Sequence, residues 1–69
     1  MKDAKPGLDL LLKVKAGFVL QNTSMSRWAK DNGTHVSNVR NALLGSWDGP
    51  RGRAMRRRVI KAAGVEVAA

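Results

Sequence analysis

The stretch MSRWAKDNGTHVSNVRNALL, residues 25–44, decides the fold of this chain. Its fifth residue is Ala29, small enough for two helices to cross closely, and its ninth is Gly33, which tolerates the positive φ of a sharp turn. Apolar residues occupy the fourth, fifteenth and eighteenth positions, where two such helices lock together: Trp28, Val39 and Ala42. These offsets predict a helix-turn-helix, and a generic helical hairpin with a Gly turn would share some of them.

Local signals set the limits of both helices. Ser24 suits an N-cap, because its hydroxyl can accept a hydrogen bond from a free backbone N–H, and the helix is predicted over 25–32 with Gly33 as its C′ residue. Thr34 is expected to cap the next helix, which Gly45 closes. The spacing of its apolar residues predicts one buried face: Val36, Val39, Ala42 and Leu43.

A further helix is predicted before this stretch, over about 7–21. Its apolar residues fall at positions 8, 11, 12, 18 and 19, with Leu10 and Val14 beside them, which predicts a wide apolar stripe. Gly17 lies inside this helix and weakens it, so a close contact with another helix is the expected reason for it.

After the stretch comes a loop over 46–50, in which Trp47 is expected to pack against the core and Asp48 to cap the last helix. That helix is predicted from about Pro50 to Ala63, with Gly64 as its C′ residue. Its predicted inward residues are Ala54, Met55, Val59 and Ala62 or Ala63. Its predicted outward residues include Arg53, Arg56, Arg57 and Lys61, with Arg58 running along the edge of the core.

The expected architecture is therefore an all-α, compact four-helix domain. It would comprise a tail at 1–6, a helix-turn-helix domain at 7–64 and a short tail at 65–69, with Val65 to Val67 as the one competing strand pattern. Sixty-nine residues make one small domain, and without cysteine it has neither a disulfide nor a Cys-based zinc or redox site.

The chain is strongly basic, with 13 Lys and Arg against 5 Asp and Glu, a formal net charge of +8. Between Arg51 and Lys61 there are six basic residues and no acidic one. Such a block favours a polyanionic partner, because each neutralised phosphate releases counterions; the alternative is a solvated helix face that keeps the protein soluble. No apolar run approaches the roughly 20 residues of a membrane span, so no membrane partner is expected.

Residues 29–33, AKDNG, followed by Val39 and Ala42, resemble the helix-turn-helix of lambda Cro and related phage repressors. The overall plan is also similar to that of the small Ner-type regulators of Mu-like phages, in which a Trp-containing loop and another helix follow the motif. Asn32 and Thr34 are polar where that family usually has apolar residues, and Val36 is expected to replace the missing contact. The resemblance implies a lambda-repressor-like bundle that regulates phage or prophage transcription, as a repressor on double-stranded DNA. Because such proteins commonly act as dimers, a homodimer is one expectation.

On this interpretation the second helix of the motif enters the major groove. Arg40 is expected to bind guanine, and Asn38 or Asn41 to pair with adenine. Ser37 and His35 are further candidates for base contacts. A second set is expected to contact phosphates, either at the start of the motif or on the last helix: Thr23, Ser24, Ser26, Arg27, Arg53, Arg56 and Arg57.

No nucleophile–base pair, carboxylate dyad, phosphate loop or metal cluster can be assembled, so neither an enzyme, a cofactor nor a small-molecule substrate is expected.

The expected location is the cytoplasm of a bacterial host, on the nucleoid. Two alternatives stay open at this point. One is an architectural or excisionase-type DNA-binding factor. The other is a host-takeover protein that binds a bacterial protein through its basic surface.

Overall fold

Four helices account for most of residues 5–65, the part of the chain that the computed structural model describes: α1 (Leu8–Leu20), α2 (Met25–Asp31), α3 (Val36–Leu44) and α4 (Pro50–Ala63). No strand occurs within this range, so the all-α, four-helix prediction is confirmed. The predicted tail positions 1–4 and 66–69 lie outside the described residues, and with them most of the strand pattern at 65–67.

The core lies where α1, α3 and α4 meet. Its largest fully buried side chains are Val14 and Phe18 of α1, Val39 and Leu43 of α3 and Val59 of α4. Both tryptophans are half-buried against this core, as predicted. The ring of Trp28 is tilted by 31° against that of Phe18, with centroids 6.2 Å apart. Together with the buried Met25 and Ala29, this contact attaches α2 to the core.

The buried side of α1 differs from the prediction. Leu10, Leu11, Val14 and Phe18 face the core. The expected wide stripe was wrong at Leu8, Leu12 and Val19, which are exposed. Eight of the thirteen residues of α1 are Leu, Val or Phe, so the sequence supports more than one apolar side and packing against α3 and α4 selects between them.

Gly17 confirms the expected close helix contact. A Cβ built on this residue would lie 2.3 Å from the carbonyl oxygen of Ala63, so the backbones of α1 and α4 meet where neither can carry a larger group. The Gln21 side-chain amide donates to the carbonyl of Ala62 at 2.9 Å, which ties the end of α1 to the end of α4.

The predicted caps and ends of the helices are partly confirmed. Ser24 caps α2, with its Oγ accepting from the Arg27 N–H at 3.1 Å, and Gly33 adopts φ of 69° in the following turn. Two predicted caps were wrong. The N-cap of α3 is His35 instead of Thr34, and the N-cap of α4 is Gly49 instead of Asp48. At neither position does a side chain of the cap residue accept a hydrogen bond from the helix.

Candidate nucleic-acid interface

One side of α3 is directed to solvent and carries three of the predicted base-reading residues. Val39, Ala42 and Leu43 are each buried, which fixes the rotation of the helix about its axis. At 100° per residue, Ser37 and Asn41 fall on the opposite side and Arg40 lies about 100° around the helix from the buried set. All three are exposed. Within residues 5–65 the structure gives their side chains no hydrogen bond or ion pair, so their polar groups are available to a ligand.

The start of α3 differs from the rest of its exposed side. Asn38 is exposed, but its Nδ2 lies 3.4 Å from Thr34 Oγ1, so this side chain leans toward the turn. His35 is exposed at the N-cap position, with extended backbone. Val36 was predicted to be buried, yet it is 38% exposed. The helix begins one residue later than a Thr34 cap implied, so Val36 is its first residue, one turn before Arg40.

Contacts from three other segments hold the C-terminal end of α3. The last four carbonyls of a helix have no partner within it. The Asn41 carbonyl accepts from the Trp47 N–H at 3.1 Å, and the Leu43 carbonyl from the Gly7 N–H at 2.9 Å. The Ala42 carbonyl accepts from Arg56 Nε at 2.8 Å. These bonds fix the end of the helix, and with it the direction in which its exposed side points.

Arg56 was predicted to face outward and contact a phosphate, and this prediction was wrong. Its side chain is 4% exposed. Besides the bond to Ala42, its Nη2 donates to the Asp48 carboxylate. That hydrogen bond, helped by the positive charge of Arg53 at 3.7 Å, holds the pKa of Asp48 below its ordinary value against the opposing effect of desolvation. Arg56 therefore joins α4 to the end of α3, and Asp48 serves as its counter-ion instead of a cap.

A second arginine of α4 reaches toward α2. The guanidinium of Arg58 lies 5.6 Å from the centroid of the Trp28 ring, and its Nη2 donates to Asn32 Oδ1 at 3.1 Å. Asn32 in turn donates from Nδ2 to the Trp28 carbonyl at 2.8 Å, which confirms its expected place at the end of α2. The turn between α2 and α3 is therefore braced from α4 by a cation–π contact and a short chain of hydrogen bonds.

The remaining predicted phosphate contacts lie on two surfaces. At the start of α2, Ser26 and Arg27 are exposed and Thr23 is half-buried, whereas the Ser24 hydroxyl is engaged as the cap. On α4, Arg53 and Arg57 are exposed, together with Arg51 and Lys61, which the sequence interpretation did not select as contacts. Ala54 was predicted to be buried and is exposed between them. The outer side of α4 is therefore mainly cationic.

Neither a metal site nor a membrane-spanning helix is found among the described residues. Within residues 5–65, no three His, Asp or Glu side chains are grouped so that they could hold a metal ion. None of the helices in that range has both the length and the hydrophobicity needed to cross a bilayer.

Comparison with known proteins adds no relative: no family model matches the chain, and neither does any curated protein or solved structure.

Proposed function

We propose that this chain binds double-stranded DNA sequence-specifically, as a transcriptional regulator of phage or prophage type that represses by occupying an operator. The observation that carries the proposal is the exposed side of α3, where Ser37, Arg40 and Asn41 have no partner within residues 5–65. A long guanidinium and a carboxamide on adjacent positions of a short helix match the donor and acceptor patterns of base pairs in the major groove.

Each side chain has a stated role in this proposal. Arg40 donates to guanine O6 and N7, and Asn41 pairs with N6 and N7 of adenine. Ser37, Asn38 and His35, near the start of the helix, contact a neighbouring base or phosphate. The exposed methyl groups of Val36 suit the C5-methyl group of thymine, which is the only apolar group that a base pair presents in the major groove.

Affinity without sequence preference comes from polar and cationic side chains near the exposed side of α3. Ser26 and Arg27 at the start of α2, and Arg53 and Arg57 on α4, are the proposed phosphate contacts. Arg56 is excluded from them because it is buried and hydrogen-bonded within the protein. Its role here is indirect, since it holds the end of the helix that carries Arg40.

Selection of bound duplexes from a random library at physiological salt tests the proposal. A repeated consensus is expected, and retention of duplexes without enrichment of any sequence would instead favour an architectural DNA-binding role. Loss of all binding to duplexes would overturn both.

The matched variants Arg40→Ala and Arg57→Ala then separate base reading from phosphate contact. Arg40→Ala is expected to cost about 1–3 kcal/mol on the selected site and to relax the preference at one base pair. Arg57→Ala is expected to weaken binding to all duplexes alike and to reduce the salt slope by about one unit. Titration of each variant against consensus and scrambled duplexes at several salt concentrations measures both effects. Unchanged discrimination in Arg40→Ala would contradict the reading role of α3.

A further inference from the structure

Val36 is an apolar side chain on the otherwise polar exposed side of α3. The other apolar residues of this helix are buried or pack against the core: Val39, Ala42, Leu43 and Leu44. Val36 is instead 38% exposed, at the first position of the helix. The other exposed residues of α3 are all polar: Ser37, Asn38, Arg40 and Asn41. The core therefore accounts for the other apolar residues of α3 but leaves much of Val36 in solvent.

Val36 lies one helical turn before Arg40 on the surface of α3. The two residues are four positions apart, so they project about 40° from each other around the helix and lie about 6 Å apart along its axis. A β-branched side chain in a helix has one strongly preferred rotamer, so the methyl groups of Val36 stay close to the backbone. The longer Arg40 side chain extends beyond them. A short apolar group and a long hydrogen-bond donor therefore share one side of α3.

The major groove offers a matching pair of groups on neighbouring base pairs, which are about 3.4 Å apart along the duplex. Guanine presents O6 and N7 to an arginine, and thymine presents its C5-methyl group to an apolar side chain. 5-Methylcytosine carries the same methyl group on the same ring carbon, so it offers the same apolar surface while it pairs with guanine. Unmodified cytosine has only hydrogen at that carbon.

We propose that Val36 determines specificity for a C5-methyl group on the base pair next to the guanine that Arg40 binds. The inference rests on the proposed function and extends it to a modified base. Thymine and 5-methylcytosine are both accepted at this base pair, and unmodified cytosine is disfavoured. Binding of a site with cytosine at this base pair therefore depends on whether that cytosine is methylated. Because the contact removes one methyl group from water, it is expected to change affinity about fourfold.

Two matched pairs of duplexes isolate the methyl group. Each starts from the site selected from the random library and varies the base pair beside the guanine whose preference Arg40→Ala relaxes. One pair compares thymine with uracil opposite adenine, and the other compares 5-methylcytosine with cytosine opposite guanine. Fluorescence anisotropy titration at physiological salt measures the four affinities. The wild type is expected to bind the methylated member of each pair about fourfold more tightly.

The variants Val36→Ala and Val19→Ala assign the effect to one side chain. Val36→Ala is expected to bind both members of each pair equally, with the salt slope of the wild type, because no charge is removed. Val19→Ala is the control, since it makes the same truncation at a valine of α1 that is 70% exposed, and it should keep the fourfold preference. Equal affinity of the wild type for both members of each pair, or a preference that persists undiminished in Val36→Ala, would overturn the inference.

The outcomes distinguish a failure of this inference from a failure of the proposed function. A consensus without thymine beside that guanine, or one bound without regard to the methyl group, overturns the role of Val36 and leaves Arg40 as a base-reading residue. If no consensus arises, or if Arg40→Ala relaxes none of its positions, the reading role of α3 and this inference fail together.

Discussion

The outer sides of α1 and α4 differ sharply in chemistry. Both helices pack against the same core, and their backbones meet where Gly17 contacts Ala63. Yet α1 exposes a row of leucine and valine, whereas α4 exposes arginine and lysine. The outer sides of the two helices therefore differ in chemistry, one being largely apolar and the other cationic.

The inner sides of the two helices show how far this contrast extends. The buried side of α1 is wholly apolar, whereas α4 places Arg56 among its buried residues. That arginine is accommodated because the Ala42 carbonyl and the Asp48 carboxylate both accept from it. A helix so rich in arginine therefore needs polar partners on its inner side as well as solvent on its outer one.

The largest expected effect separates a buried and an exposed arginine of α4. Arg56→Ala removes the donors that reach Ala42 and Asp48 and should lower the free energy of unfolding by about 2–3 kcal/mol. Arg51→Ala, on the exposed side, should change it by no more than about 0.5 kcal/mol. Urea denaturation of both variants measures the difference. Equal stability of the two would show that the inner and outer sides of α4 do not differ in this way.

The ends of the helices and their buried sides show what the sequence can and cannot predict. Helix ends follow from local chemistry, so Ser24, Gly33 and Gly45 marked them correctly. Which side of a helix is buried depends on partners distant in the chain. The residues around Arg56 in the sequence do not indicate that the carbonyl of Ala42, on another helix, accepts a hydrogen bond from its Nε at 2.8 Å.

The exposed residues of α3 were easier to predict from the sequence than the buried side of α4. Three strongly apolar residues of α3 define its buried side, and the helical period then exposes Ser37, Arg40 and Asn41. Val36 was predicted to be buried from its spacing to Val39 and Leu43, but it is the first residue of α3 and is 38% exposed. Spacing alone therefore does not predict burial at the end of a short helix.

A smaller effect is expected where α1 and α4 touch. In Gly17→Ala the new methyl group would lie 2.3 Å from the Ala63 carbonyl oxygen, so one backbone must move. We expect a loss of about 1–2 kcal/mol, because overpacking outweighs the better helix propensity of alanine. Lys15→Ala is the control, since it introduces the same residue at an exposed position of the same helix, and it should change stability by less than about 0.5 kcal/mol. A Gly17→Ala protein as stable as the wild type would mean that the two helices can separate freely.

The smallest expected effect concerns the ion pair between Asp48 and Arg56. Because the hydrogen bond from Arg56 lowers the pKa of Asp48 in the folded protein, the ionised carboxylate stabilises the fold at pH values above its unfolded pKa near 3.8. That contribution is lost as the pH falls through the lower, folded pKa.

Asp48→Asn should therefore be less stable than the wild type at pH 7, and the difference should narrow below about pH 3.8 as Asp48 is protonated. Urea denaturation at intervals from pH 7 to pH 2 measures it, with Asp31→Asn as a control for the loss of one exposed negative charge. A constant difference across that range would mean that the carboxylate contributes through its shape and not its charge. Arg56 would then be held on the inner side of α4 chiefly by the carbonyl of Ala42.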